Sequence, residues 1–152
     1  MKVSAASDYA LRAAVVLAAS EPGKLVKGDV IAEAQGISFR FCEQLLGSLR
    51  KAGIVTSQRG ADGGYALARP ADQINVAEVI RAIDGPIAVV HGQKPEDVDY
   101  PPPAQAMREL WVATRAAMRT VIEVVTLADL AAGSLPESVR VRLDDPDAWS
   151  RR

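Results

Sequence analysis

The sequence predicts a mainly α fold: a winged helix-turn-helix unit with a long helix on its C-terminal side. Three observations predict it. Two amphipathic segments of helical period flank a glycine-containing turn at Gly36-Ile37. Two short β-prone runs then enclose the tip Arg59-Gly60-Ala61-Asp62-Gly63-Gly64. From Ala104 onward, Met107, Leu110, Trp111, Thr114, Met118, Val121, Ile122 and Val125 recur at steps of three and four.

The elements follow in order. Residues 7–20 predict a first helix, with Ser7 as N-cap and Tyr9, Leu11, Ala14, Val15, Leu17 and Ala18 on its apolar face; Glu21-Pro22-Gly23 stops it. Lys27–Gln35 predicts a short second helix that turns Val30, Ile31 and Ala34 inward, with Gly36 closing it at positive φ. Ser38 caps a third helix reaching about Ala52, whose inward stripe is Phe41, Cys42, Leu45, Leu46 and Leu49; Gly53 ends it. Ile54–Ser57 and Tyr65–Ala68 are the strands of a hairpin, the wing. Ile74–Ile83, capped at Asn75 and broken by Asp84-Gly85-Pro86, is the fourth helix.

Residues 87–103 form a proline-rich, acidic loop, and Ala104 to about Leu130 a single helix ended by Gly133 and Pro136. The tail 134–152 holds at most one further helical turn. The expected organisation is therefore 1–86 for the winged-helix unit, 87–103 for the loop, 104–132 for the long helix and 133–152 for the tail. A helix of about 26 residues is roughly 40 Å long. So small a domain cannot cover that length, and the simplest cover for its apolar face is the same helix of a second copy.

Composition narrows the function. A chain of 152 residues suits one domain with a core of its own. Its 49% hydrophobic and 5% aromatic content makes that core mostly Ala, Val, Leu and Ile. The single cysteine, Cys42, allows no internal disulfide and fits a reducing cytoplasm. Asp8 and Arg12 interrupt the first apolar run at helical spacing, which argues against a signal peptide, and no run of 18 apolar residues provides a membrane span. The net charge is −1, but residues 37–69 carry Arg40, Arg50, Lys51, Arg59 and Arg69 against only Glu43 and Asp62. Nothing suggests an enzyme: there is one histidine, no cluster of metal ligands, and no phosphate loop. Gly60-x-x-Gly63-Gly64 fits neither nucleotide-loop spacing, and a strand rather than a helix follows it.

The basic window falls on the third helix and the wing, which points to double-stranded DNA. Ser38 and Arg40, at a helix N-terminus, suit phosphates. Arg40 suits guanine, Gln44 adenine and Glu43 cytosine in the major groove. Arg50 and Lys51 are phosphate contacts, and Arg59 suits the narrow minor groove. Gly60, Gly63 and Gly64 let the backbone approach phosphates without Cβ clashes.

The segments "SDYALRA", "IAEAQGIS", "EQLLGSLRKAGIV", "SQRGADGGYALARP" and "INVAEVIRAIDGP" resemble the Rrf-type winged-helix transcriptional regulators (IscR-, NsrR- and CymR-like) over about residues 1–86, and "TLADL" extends the match to about 130. The resemblance implies a homodimeric bacterial regulator, crossed through its long helix, that binds imperfect palindromes. It also implies that Ser38, Arg40, Phe41, Gln44 and Arg59 occupy DNA-contact positions. Cluster-binding members carry three cysteines in the loop after the fourth helix. Residues 87–103 contain none, so no iron–sulfur cluster and no other cofactor is expected. Asp8 matches a position that supplies a carboxylate ligand in some relatives, but cannot hold a cluster alone.

Two further readings stay open. His91, Tyr100, Met107 and Trp111 are candidates for a pocket that takes a small-molecule effector or a regulatory protein. Cys42 is either a core residue or a redox switch on the third helix. The alternative to a DNA-binding regulator is a winged-helix interaction module, or a small-molecule or thiol-responsive sensor with little DNA affinity of its own.

Overall fold

The computed structural model describes residues 3–150. It holds α1 (Ala5–Ala18), α2 (Gly28–Gln35), α3 (Phe39–Lys51), β1 (Val55–Gln58), β2 (Gly64–Leu67), α4 (Val76–Asp84), α5 (Ala106–Ile122), α6 (Leu127–Ala131) and α7 (Glu137–Arg140). Single 3-10 turns lie at Ala71–Gln73, Pro95–Asp97 and Pro146–Trp149. No helix among the described residues is long and apolar enough to cross a membrane.

The helix-turn-helix forms as its sequence signals require. Gly36 ends α2 in the left-handed region at φ 63°. Ser38 then caps α3, its Oγ accepting from the Phe41 amide at 3.3 Å. α3 buries Cys42, Leu45, Leu46 and Leu49 on one stripe, against Ala10, Ala13, Ala14 and Leu17 of α1 and Ile31 of α2. The three alanines of α1 are fully buried, and their small side chains let its neighbours α3, α4 and α6 pack closely. On α2 the inward pair is Ile31 and Ala32; Val30 and Ala34, expected inward, face solvent, because eight residues give too little periodicity to fix the buried face.

The first helix begins earlier than expected. Ser4, not Ser7, is the N-cap and accepts from the Ser7 amide at 2.9 Å. Ser7 is almost completely buried one turn in, and its hydroxyl donates to Asp84 Oδ2 at 2.7 Å. α4 has a full capping box: Asn75 Oδ1 accepts from the Glu78 amide at 3.0 Å, and the Glu78 carboxylate accepts from the Asn75 amide at 3.2 Å.

The wing is an antiparallel pair in the register Val55↔Leu67 to Gln58↔Gly64. A third element widens it. Val26 and Tyr65 exchange two backbone hydrogen bonds, each 2.8 Å, so the segment before α2 pairs with β2. This explains Gly64: a Cβ there would stand 2.6 Å from the Val26 carbonyl oxygen. A Cβ at Gly63 would meet the Gln58 carbonyl oxygen at 2.3 Å. Both glycines are demanded first by the packing of the wing itself.

The long helix expected over 104–130 is broken. α5 ends at Ile122, so it is about 25 Å long rather than 40. The break has a tertiary cause. The Val76 amide donates to the Val125 carbonyl at 3.0 Å and the Leu127 amide to the Ile74 carbonyl at 2.9 Å, so residues 125–127 run beside 74–76 as a bridge centred on Asn75↔Thr126. Thr126 then starts α6 with its own capping box to Asp129. Leu127 is fully buried in the same core as Ala10, Leu46 and Ile74. The winged-helix core is therefore not closed by residues 1–86; it takes a side chain from beyond α5. The tail adds α7, whose Val139 packs with Val76 and Val125 in a second small cluster, and then a 3-10 turn.

Candidate nucleic-acid interface

α3 and the wing face each other across an open groove of about 830 Å³. Arg40, Glu43, Gln44 and Gly47 line it from the helix, and Gln58, Arg59, Gly60 and Gly63 from the wing. Lys27, Asp29 and Phe39 complete it from the start of α2 and the first turn of α3. Apolar burial fixes which side of α3 faces the groove: with Cys42, Leu45, Leu46 and Leu49 turned inward, Arg40, Glu43, Gln44 and Gly47 fall on the opposite side. The exposed side chains of Arg40, Gln44, Lys51 and Arg59 make no hydrogen bond or salt bridge among the described residues, which leaves their donors available. Lys27, Arg40, Arg50 and Arg59 stand against only Asp29 and Glu43, so the groove is positive in a chain of net charge −1.

The predicted contact residues do not all behave alike. Arg40, Glu43, Gln44, Arg50, Arg59, Gly60, Gly63 and Gly64 come together in the groove. Arg50 has a second task there: its Nη1 donates to Ser57 Oγ at 3.0 Å and ties the end of α3 to β1. Ser38 lies outside the groove lining and uses its hydroxyl as the helix cap. Lys51 lies at the far end of α3, exposed. Phe41 is not in the groove. It packs half-buried, edge to face on Tyr9 with ring centroids 6.0 Å apart, because it shares the stripe of Cys42 and Leu45. The aromatic that does enter the groove is Phe39, 49% exposed.

Sequence reasoning missed Tyr65, Lys27 and Asp29. The only signal for them was a β-prone tyrosine beside the tip and two charges at the start of α2. Burial pushes the Tyr65 hydroxyl above its ordinary pKa, with Glu43 adding to the shift, so it remains a donor at the groove wall. Cys42 lies on the other side of α3 and is fully buried. Burial, and secondarily Glu43, pushes its thiol up, the opposite of the lowered pKa that a reactive thiol needs.

The four effector candidates do not share a cavity. Tyr100 lines one of about 430 Å³ at the start of α5, with Asp99, Gln105, Arg108 and Glu109, but His91, Met107 and Trp111 do not. The Tyr100 hydroxyl and the Trp111 indole nitrogen are both buried without a hydrogen-bond partner. His91 is exposed in a turn at φ 50°. α5 contains no fully buried residue, and Leu110 is 54% exposed on it.

Comparison with known proteins agrees with this architecture. The family model described as "Rrf2: Iron-dependent Transcriptional regulator" matches residues 3–133. A Mycobacterium tuberculosis protein provisionally named an HTH-type transcriptional regulator, Rv1287, is 47% identical over 145 residues, 95% of this chain and 90% of its own. The HTH-type transcriptional regulator CymR of Bacillus subtilis is 37% identical over 86% of this chain and 90% of its own. Among solved structures, that of CymR (YrzC), the global cysteine regulator of B. subtilis, superposes with a TM-score of 0.71 at 34% identity, covering 88% of this chain and 98% of that one. The T. potens IscR structure superposes at 0.66 with 31% identity, covering 100% and 93%. With a two-stranded wing set against a capped third helix and a family match across nearly its whole length, the chain belongs to the Rrf2 family of winged-helix transcriptional regulators.

Proposed function

We propose that the protein is a homodimeric repressor that reads an imperfect palindrome, with α3 in the major groove of each half-site and Arg59 of the wing in the adjacent minor groove. One observation carries this reading: Arg40, Gln44 and Arg59 open onto one positively charged groove with no intramolecular partner among the described residues. Phosphate attraction then falls to the groove's cations, and discrimination to Gln44 and Arg40 at base edges. The absence of any fully buried residue on α5 and the exposure of Leu110 and Met107 support pairing of two copies along that helix.

The reading excludes a thiolate-bound cluster, although the family description names iron. The donor set does not fit one. The only thiol, Cys42, is sealed in the core, and the loop 87–103 supplies no cysteine. Asp8 is engaged with Arg12 at 2.5 Å, one helical turn away. Among the described residues no group of three or more His, Cys, Asp or Glu side chains could hold a metal ion.

Selection of bound fragments from a random DNA pool tests the function, with light scattering on the same sample for oligomeric state. The expected result is an enriched two-fold-symmetric sequence bound by a dimer. In gel shifts at fixed salt, Gln44→Ala then relaxes preference at one base pair per half-site, and Arg59→Ala weakens binding at A·T-rich steps. A monomer that enriches no sequence and shows no salt-dependent DNA affinity would overturn the proposal in favour of a protein-interaction module.

A further inference from the structure

A second basic site lies away from the DNA-facing groove. A cleft of about 410 Å³ opens between the C-terminal end of α4, the loop after it and α5. Arg81, Lys94, Arg115 and Arg119 line it over an apolar floor of Pro86 and Ile87. The carboxylates present do not match these four cations. Arg81 and Arg119 converge on one oxygen, Oε1 of Glu123, with Arg119 Nε at 2.9 Å. Arg115 Nη1 meets Glu96 Oε2 at 2.7 Å. The Lys94 side chain makes no hydrogen bond or salt bridge among the described residues, although its charge acts on Glu96. Two acids thus answer four cations, and most N–H donors of the three guanidiniums are unused.

We propose that this cleft binds a small organic dianion, one that carries two carboxylates or a phosphate on a short carbon skeleton. Guanidinium forks receive planar or tetrahedral oxyanions with paired hydrogen bonds, and Lys94 supplies a point charge at the rim. Pro86 and Ile87 suit the carbon body, and the volume suits a metabolite rather than a polymer. An incoming oxyanion competes with Glu123 for Arg81 and Arg119. Arg81–Glu123 is the one side-chain hydrogen bond between α4 and the stretch that ends α5 among the described residues, so occupancy acts on the joint between the helix-turn-helix unit and α5. This site shares no residue with the DNA-facing groove, and its test does not depend on DNA.

The test is calorimetric titration of the full-length protein with inorganic phosphate, succinate and citrate at constant ionic strength. Saturable binding of at least one probe is expected; which one saturates separates a phosphate site from a dicarboxylate site. Lys94→Ala, which breaks no side-chain hydrogen bond or salt bridge among the described residues, weakens that binding about tenfold, the size of one charge-assisted contact. Arg59→Ala, at the wing, leaves it unchanged. Failure of all three probes to saturate would overturn the proposal. So would affinity that survives Lys94→Glu, or affinity that is lost with Arg59→Ala instead.

Discussion

Ser7 Oγ donates to Asp84 Oδ2 at 2.7 Å, joining the first turn of α1 to the last residue of α4 across 77 positions. The other oxygen of the same carboxylate accepts from Ser4 Oγ at 2.8 Å, and Ser4 in turn caps α1. One side chain therefore holds a helix cap and a buried hydroxyl at once. Asp84→Ala leaves the Ser7 hydroxyl buried without its acceptor and is expected to cost about 2–3 kcal/mol. Asp84→Asn, which keeps an acceptor, should cost about half as much. Urea midpoints with unchanged slope would check both, and a loss below about 0.5 kcal/mol for Asp84→Ala would refute the clamp.

Gly64→Ala presses a methyl against the Val26 carbonyl oxygen, a backbone atom that cannot swing aside. The expected result is loss of about 1–3 kcal/mol and faster hydrogen exchange at the Val26 and Tyr65 amides, whose mutual bonds must open. Unchanged protection at both amides would refute the close approach.

Gly47 gives the opposite sign. It lies within α3, and a Cβ there meets nothing within 4 Å. Gly47→Ala should therefore stabilise the fold by about 0.5–1 kcal/mol through helix propensity. Its added methyl points into the groove. If α3 enters DNA, the stabilised variant binds the selected operator more weakly, and thermal unfolding with gel shifts on one preparation reads both effects.

Cys42 is predicted to resist alkylation. The native protein should stay unmodified by iodoacetamide at about pH 8 while the urea-unfolded chain reacts, read by mass spectrometry, because the thiol is both buried and held protonated. Rapid labelling of the native chain would revive the thiol-switch reading.

Acid should loosen the α4–α5 joint. Hydrogen bonds from Arg81 and then Arg119 hold the Glu123 carboxyl below the ordinary value of 4.5. A carboxyl lowered on folding stabilises the fold fully above that value, and the contribution disappears as pH falls through the folded pKa. The stability gap between the wild type and Glu123→Gln is therefore expected at neutral pH and should shrink below pH 4.5. A gap that stays constant into acid would show that the pair contributes through something other than charge.

The sequence made the winged-helix unit legible because its signals are local. Gly36, Ser38 and Asn75 end or cap helices with their own side chains or φ angles, and the α3 stripe shows its buried side in 13 residues. What stayed hidden depends on partners far along the chain. Ser7 reads as a cap from its neighbours alone; the role it has instead, a buried hydroxyl donating to Asp84 while Ser4 caps the helix, depends on a residue 77 positions away. The apolar period runs through Val121, Ile122 and Val125 without a fault, and only the backbone of Ile74 and Val76 reveals why the helix stops. The basic cleft draws its four cations from three separate stretches, around Arg81, Lys94 and Arg115–Arg119, which only the fold brings together.

The buried position of Leu127 has a consequence for how the protein is made and how it can be cut. During synthesis the interior of the winged-helix unit is completed only after α5 has left the ribosome, because Leu127 follows it in the chain. A proteolytic nick between α5 and α6 leaves the winged-helix unit joined to the last piece of its core only by non-covalent contacts such as the packing of α6 against α1.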